Sequence, residues 1–416
     1  MFFDAVMFWE WISLALRWLH ILVAMAWIGS SFYFIAMDLG LRKHPNLPKG
    51  AYGEEWQVHG GGFYHIQKYL VAPETMPEHL TWFKWESYLT WISGAALLAV
   101  VYYLGADLYL IDRSVWDVEP WQGILMSMFL LAMGWVVYDL LCRSVFARNT
   151  NALMIVLFII LVIFAWLFTL FFSARAAYLH LGAFTATIMT ANVFFIIIPN
   201  QKKVVASLIA GKSPDPQLGV QAKQRSTHNN YLTLPVVFLM ISNHYPLAYT
   251  SQLNWLIAAL LFLLGVVIRV FFNTRDARKG NLWWLWGVAV LLFCAMMALS
   301  FVGRGSLETT SGQAQTLEPT AQQQALMNNP HYEAVREMMG TRCSMCHAQS
   351  PLWEGISVAP KAVVLETDQQ ITKLAREIYL FAGATNAMPP SNITYMEQEE
   401  RQLIVAWYKS AALGQE

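Results

Sequence analysis

Charge is scarce in this sequence. Asp, Glu, Lys and Arg together make up 13% of its 416 residues, and the two signs cancel at 27 each. A chain without net charge has no bulk field to draw in a polyanion, so nucleic acid is excluded as a partner. Cysteine is scarcer still, with four in the whole chain, which excludes a disulfide framework. Cys142 and Cys294 lie in or beside apolar runs, where a thiol serves as a small packing residue. A phosphate-binding loop is also missing, because no Gly-Lys-Ser/Thr follows the glycine run Gly60-Gly61-Gly62. The leader Met1 to Glu10 carries no basic stretch and no cleavage site, so the first apolar segment is expected to act as an uncleaved signal.

What the chain has instead is apolar surface, at 56% of residues. Crossing a bilayer takes about 20 predominantly apolar residues. Eight segments qualify, near 11–37, 86–105, 120–141, 151–172, 174–198, 230–247, 253–272 and 282–302. The sixth is interrupted by Pro235, which a membrane helix tolerates when neighbours satisfy the freed carbonyl. The expected fold is all-α: an eight-helix transmembrane bundle over 1–302. Fifteen Lys and Arg fall in the loops that would be cytoplasmic, Arg225 among them, and only Arg113 and Arg175 in those on the other side. The positive-inside rule then puts both ends of the bundle in the periplasm of a bacterial inner membrane.

After Val302 the composition shifts to Gly, Ser, Thr and Gln, which predicts a flexible linker over 303–325 and a small soluble domain over 326–416. That domain contains Cys343-Ser344-Met345-Cys346-His347. In this spacing two thiols can add to the two vinyl groups of one haem, and the next residue puts an imidazole on the iron. The motif predicts a covalent c-type haem with His347 as proximal ligand, attached on the periplasmic side. The other axial ligand should be a soft donor downstream. Met388, in Ala387-Met388-Pro389-Pro390, fits best, because prolines stiffen the backbone around it. Met396 is the second choice, and the alternative for Met388 is a methionine of the core. Helices are expected over 331–342, 369–382 and 396–412.

The first four membrane segments weakly resemble the last four. Tyr88-Leu89-Thr90 matches Tyr231-Leu232-Thr233, Gly134 pairs with Gly265, and His20 pairs with His180 at similar depth. This suggests a duplicated four-helix unit. Ionisable residues inside membrane helices are functional candidates. His20 and His180 could ligate a b-type haem, or could simply make interhelical hydrogen bonds. Arg17 and Arg175 nearby could pair with propionates or with an anionic substrate, or reach to the interface.

The polar stretch over 54–86 mixes His59, His65, Lys68, Glu78 and His79 with aromatics and three consecutive glycines. Stacking faces, donors and a base suit a flat anionic heterocycle, and glycines let a backbone approach it closely. An interfacial aromatic belt explains the Trp and Lys content equally well. A zinc site from His59, His65 and His79 would lack a standard spacing. Asn229 and Asn230 would be amide partners from the matching repeat.

Several stretches carry a family likeness: Arg17-Trp18-Leu19-His20 with Ala26 to Tyr33, Val58 to Tyr64, Pro77 to Glu86, and Ala191 to Phe195 with Ile198 to Gln201. In these the chain resembles the membrane-bound, cytochrome-c-linked urate hydroxylases of bacterial purine catabolism (the PuuD type), over nearly its whole length. The resemblance implies oxidation of urate to 5-hydroxyisourate. Electrons would leave through the fused cytochrome towards a terminal oxidase or soluble cytochrome. Urate and membrane lipid are then the expected partners, with the polar loop and Asn229 and Asn230 as the candidate substrate site. The competing expectation is a non-catalytic electron-transfer cytochrome subunit relaying electrons from quinol or a partner. A transporter with a redox sensor is weaker, since no broken-helix pair is evident.

Overall fold

The computed structural model describes residues 5–302, apart from 75 and 114, and 319–412, apart from 355, 357 and 358. These residues fall into two compact units, 10–243 with 247–302, and 319–412 with 5–9 and 244–246.

The first unit is a helical bundle. In chain order it comprises α1 (Ala5–Gly40), a hairpin of β1 (Ala51–His59) and β2 (Gly62–Tyr69), α2 (Trp85–Leu97), α3 (Pro120–Arg143), α4 (Thr150–Phe171), α5 (Ala174–Ala191), α6 (Ile198–Ile209), α7 (Pro216–Ile241), α8 (Asn254–Asp276) and α9 (Trp284–Leu299). The sequence marks several starts. Glu119 and Gln122 form a reciprocal cap around Pro120 for α3, Asn149 accepts from the amides of Asn151 and Ala152 for α4, and Asp215 accepts from Gln217 before Pro216 opens α7.

Five helical runs are long and apolar enough to cross a membrane: Val6–Gly40, Pro120–Arg143, Thr150–Phe171, Ala174–Ile209 and Asn254–Asp276. This is compatible with a multi-pass membrane protein. The other three expected spans look different. The second is α2 prolonged by wider π-helical turns over Leu98–Tyr103 and Ala106–Leu110, the sixth belongs to an α7 whose first half is polar, and the eighth is the shorter α9.

Helix α5 is central and packs against α3, α4 and α7. Leu153, Leu157, Leu161, Phe168, Phe184, Ile188 and Leu239 fill the core between them. Gly134 of α3 lets Phe184 of α5 lie against its backbone, and a Cβ there would overlap the ring. Gly265 of α8 leaves the notch that holds the ring of Pro235, whose Cδ would sit 2.6 Å from an added Cβ. Gly134→Ala should therefore destabilise the bundle by about 1–3 kcal/mol through overpacking. Gly287→Ala, where a Cβ would meet nothing within 4 Å, is the control in detergent thermal unfolding. Equal melting of the two variants would refute this packing.

The all-α expectation needs one correction, the hairpin. Gly60 and Gly61 take positive φ of 60° and 79° and make the two-residue turn between β1 and β2. Such turns twist with the strands, and both central positions favour glycine. The glycine run thus serves this turn.

In the second unit, residues 303–318 of the expected linker lie outside the described residues, and its last part is a capped helix, Ala321–Met327. The other expected helices appear as Tyr332–Met338, Asp368–Lys373 with Ala375–Ile378, and Gln398–Ala412. They close around Val335, Met339, Ile404 and Trp407.

Candidate functional site

The structure does not gather the polar loop residues. His59 ends β1 with its side chain exposed, and Glu78 and His79 are exposed in the irregular segment before α2. His65 stacks on Trp56 with ring centroids 4.1 Å apart and is bonded to Glu54 Oε2 at 2.8 Å. Lys68 is neutralised by Asp38 at 2.7 Å. Strand geometry spreads these residues along a ribbon, with successive side chains on opposite faces. Among the described residues no three His, Cys, Asp or Glu side chains could share a metal ion, so a zinc site from His59, His65 and His79 does not form.

A different cluster is buried between α3, α7 and the π-helical turn Asn192–Ile197 that follows α5. Arg225 of α7, 4% exposed, donates to Asp139 of α3 at 2.6 Å. Asp139 also binds Arg143, one turn on, at 2.7 Å. The Arg225 guanidinium lies 4.9 Å from the Tyr138 ring centroid and reaches Asn192 Oδ1 at 3.4 Å. Asn192 Nδ2 donates to the Tyr138 hydroxyl at 3.0 Å and to Asn229 Oδ1 at 2.9 Å, and Asn229 Nδ2 donates to the Met189 carbonyl. The Tyr138 hydroxyl is also hydrogen-bonded to His228 Nδ1 at 2.7 Å. His228 Nε2 is then a buried atom with no partner. On the next face of α7, Asn230 Nδ2 and Arg269 Nη2 of α8 both donate to Asn273 Oδ1, at 3.3 and 2.9 Å.

Asn229 and Asn230 are therefore both buried and in polar contact, on two faces of α7. Tyr138, Asp139, Asn192, Arg225, His228 and Arg269 were not among the expected site residues. Arg225 had been counted with the loop cations, but it lies inside α7 against a carboxylate. Asp139 at the end of an apolar run was the available signal, since a charge there asks for a partner. Chemically, a phenol, an imidazole and an ion pair joined by amides in a largely buried setting can hold and pass protons and can orient an anion.

The family described as urate oxidase N-terminal matches residues 6–300. The chain belongs to this family. The match spans the hairpin and both halves of the polar cluster, and it stops before residues 319–412. Membership links the protein to urate oxidation as an oxidoreductase acting on urate. No curated protein and no solved structure matches the chain.

In this urate oxidase family member, His20 and His180 do not suit a shared haem. His20 Nδ1 donates to the Thr90 carbonyl and Ser93 Oγ, each at 3.0 Å, which leaves Nε2 available. His180, fully buried, donates through Nδ1 to the Ala176 carbonyl at 2.7 Å and accepts at Nε2 from Ser127 at 2.6 Å. Its ring is stacked on Phe172 at 4.4 Å. With both nitrogens engaged and aromatics around it, His180 has no lone pair for iron. The partners also differ, α2 for His20 and α3 for His180, which the duplicated-unit expectation does not account for. Arg175 lies over Tyr109 and bonds Asn243, and Arg17 bonds Ser13.

The C-terminal motif does suit a covalent haem. Cys343 closes a π-helical turn, and Ser344–His347 is one short helical turn, so Cys346 and His347 follow directly on the first thiol. His347 Nδ1 donates to the Val363 carbonyl at 2.9 Å, which orients the ring and leaves Nε2 as the nitrogen that would ligate an iron. Burial pushes the Cys343 thiol up to about 12 and the Cys346 thiol upward as well. Met388 is half-buried at the edge of the core, whereas Met396 is 3% exposed within it and is a packing residue. The loop carrying Met388 is held by Arg401, which donates to the carbonyls of Ala382 at 2.7 Å, Thr385 at 3.3 Å and Met388 at 2.8 Å, and to Asn392 Oδ1 at 3.2 Å.

Proposed function

We propose that this protein oxidises urate to 5-hydroxyisourate in a bacterial inner membrane and passes the electrons out through a fused cytochrome c. Urate and water give 5-hydroxyisourate, two protons and two electrons, so the protein must hold an anion, accept protons and dispose of electrons. Family membership over residues 6–300 supports the substrate. The observation that carries the electron route is the C-terminal motif, with His347 oriented by Val363 and Met388 by Arg401. A haem held by Cys343, Cys346, His347 and Met388 would take electrons singly and release them to a terminal oxidase or soluble cytochrome. The chain's own residues do the rest. The cluster of Tyr138, Asn192, Arg225, His228 and Asn229 excludes water and provides groups that exchange protons. Eight crossings, with the N-terminus and cytochrome domain periplasmic and lipid around the helices, complete the arrangement.

The test is direct. Urate added anaerobically to the purified, haem-loaded protein should reduce the c-type haem while the urate absorbance falls, at two haem equivalents per urate when an acceptor recycles it. Reduction by a quinol with no response to urate would overturn the reading in favour of a non-catalytic relay.

A further inference from the structure

The loop that carries Met388 is fastened from one point. Arg401, at the end of the first turn of the closing helix Gln398–Ala412, is 4% exposed. Its Nη1 donates to the carbonyls of Ala382, Thr385 and Met388, at 2.7, 3.3 and 2.8 Å respectively. Its Nη2 donates to Asn392 Oδ1 at 3.2 Å. Asn392 ties the same loop to the approach of the helix, accepting from the Met396 amide and donating to the Met396 carbonyl, each at 3.0 Å. Met388 adds one backbone bond of its own, from its amide to the Phe381 carbonyl at 2.8 Å. One guanidinium thus bridges acceptors spread over 382–392, with Met388 between them.

All of these partners are neutral. Burying a cation among neutral groups is a costly way to fasten a loop. What a guanidinium adds is number and rigidity, since its N–H donors are fixed in one plane and can serve several acceptors at once. Its positive charge also bears on the Cys343 thiol, as does the negative charge of its neighbour Glu400. Glu400 in turn accepts from Arg342 at 2.9 Å, and Arg342 donates to the Thr394 carbonyl at 2.8 Å. The first turn of the closing helix therefore holds the Met388 loop through Arg401 and the residue before the first motif cysteine through Glu400. The ring of His347 has its own fixture, the Val363 carbonyl. A distal methionine differs, because its long unbranched side chain stays in place only if its backbone does.

We infer that Arg401 is the positioning residue for the distal haem ligand, holding the loop over 382–392 so that Met388 stays on the iron and the iron stays closed to small molecules. This rests on the cytochrome reading above. Its consequence is that electrons leave to a protein acceptor instead of meeting dioxygen at an open iron. Optical spectra of the full-length, haem-loaded protein test it. The oxidised wild type should show the sulfur-to-iron charge-transfer band, and the reduced wild type should bind carbon monoxide weakly. Arg401→Gln should lose most of that band, lower the reduction potential and bind carbon monoxide at least tenfold more tightly. Arg401→Lys keeps the charge and some donors but not the flat fork, so it should restore part of the band. Asn392→Gly removes a single partner at a position of positive φ, 52°, that glycine accepts. It should shift the spectra the same way but less, and it serves if Arg401→Gln does not accumulate. Ile371→Val, a core change in the helix Asp368–Lys373, should lower the melting temperature with the band intact. Arg401 variants that behave like Ile371→Val, less stable but with unchanged band and carbon monoxide affinity, overturn the inference. A wild type that carries haem but lacks the band overturns it too, because Met388 is then not the ligand. A wild type without covalent haem overturns the cytochrome reading itself.

Discussion

Replacing Cys343 and Cys346 together with alanine is expected to leave the polypeptide without covalently attached haem and to bring urate-driven reduction of an external acceptor down to the level of membranes lacking the protein. The reason is chemical. Two thioethers would be the only covalent hold on the proposed haem, and the proposed reaction releases two electrons for which that haem is the proposed exit. Haem staining after denaturing electrophoresis reads the first effect, and acceptor reduction under urate reads the second. An unaltered urate-driven rate in the double variant would place the electron outlet elsewhere. Binding of urate to the helical unit should survive, because the C-x-x-C-H motif belongs to a different unit of the chain.

The second large effect concerns the ion pair between α3 and α7. Asp139→Asn should destabilise the protein by about 3 kcal/mol or more, since it strands the buried Arg225 without a counter-ion. Arg225→Gln should cost less, roughly 1–2 kcal/mol. In that variant Asp139, 15% exposed, still holds Arg143 at 2.7 Å, and Arg143 is 67% exposed to solvent. The asymmetry is the content of the prediction. Thermal unfolding in detergent checks it, and equal losses from the two substitutions would mean that Arg143 does not share the charge. The double change to Asp139→Leu with Arg225→Met should be milder than Asp139→Asn, because the only charge then left unpaired is that of Arg143, which is exposed to solvent.

Two groups of residues are arranged differently from what their sequence pattern suggests, for the same physical reason. The stretch Trp56 to His65 was read for its chemistry, as histidines and glycines around a ligand. Its backbone signal was a Gly-Gly pair flanked by residues that alternate in character, which specifies a two-residue turn and a hairpin. Side chains on a ribbon diverge, so residues adjacent in sequence did not become adjacent in a site. His20 and His180 were paired by depth in the membrane, but depth fixes only one coordinate. Rotation about each helix axis fixes the other, and it turned His20 towards Thr90 and His180 towards Ser127.

Hydropathy gave the apolar helices and showed that the chain has long membrane-compatible segments, because burying backbone in lipid demands runs of a set length. The C-x-x-C-H motif and the break in composition after Val302 were equally legible, since both are local. Family likeness in the quoted stretches agreed with the urate oxidase N-terminal match over 6–300. The tertiary structure alone decided which polar residues meet. Asp139 finds Arg225 across 86 positions, and Asn230 and Arg269 find Asn273. A helix sequence states how many polar groups it carries, but which of them face each other depends on helix rotation and register, and those are set by packing such as Phe184 against Gly134 and Pro235 against Gly265.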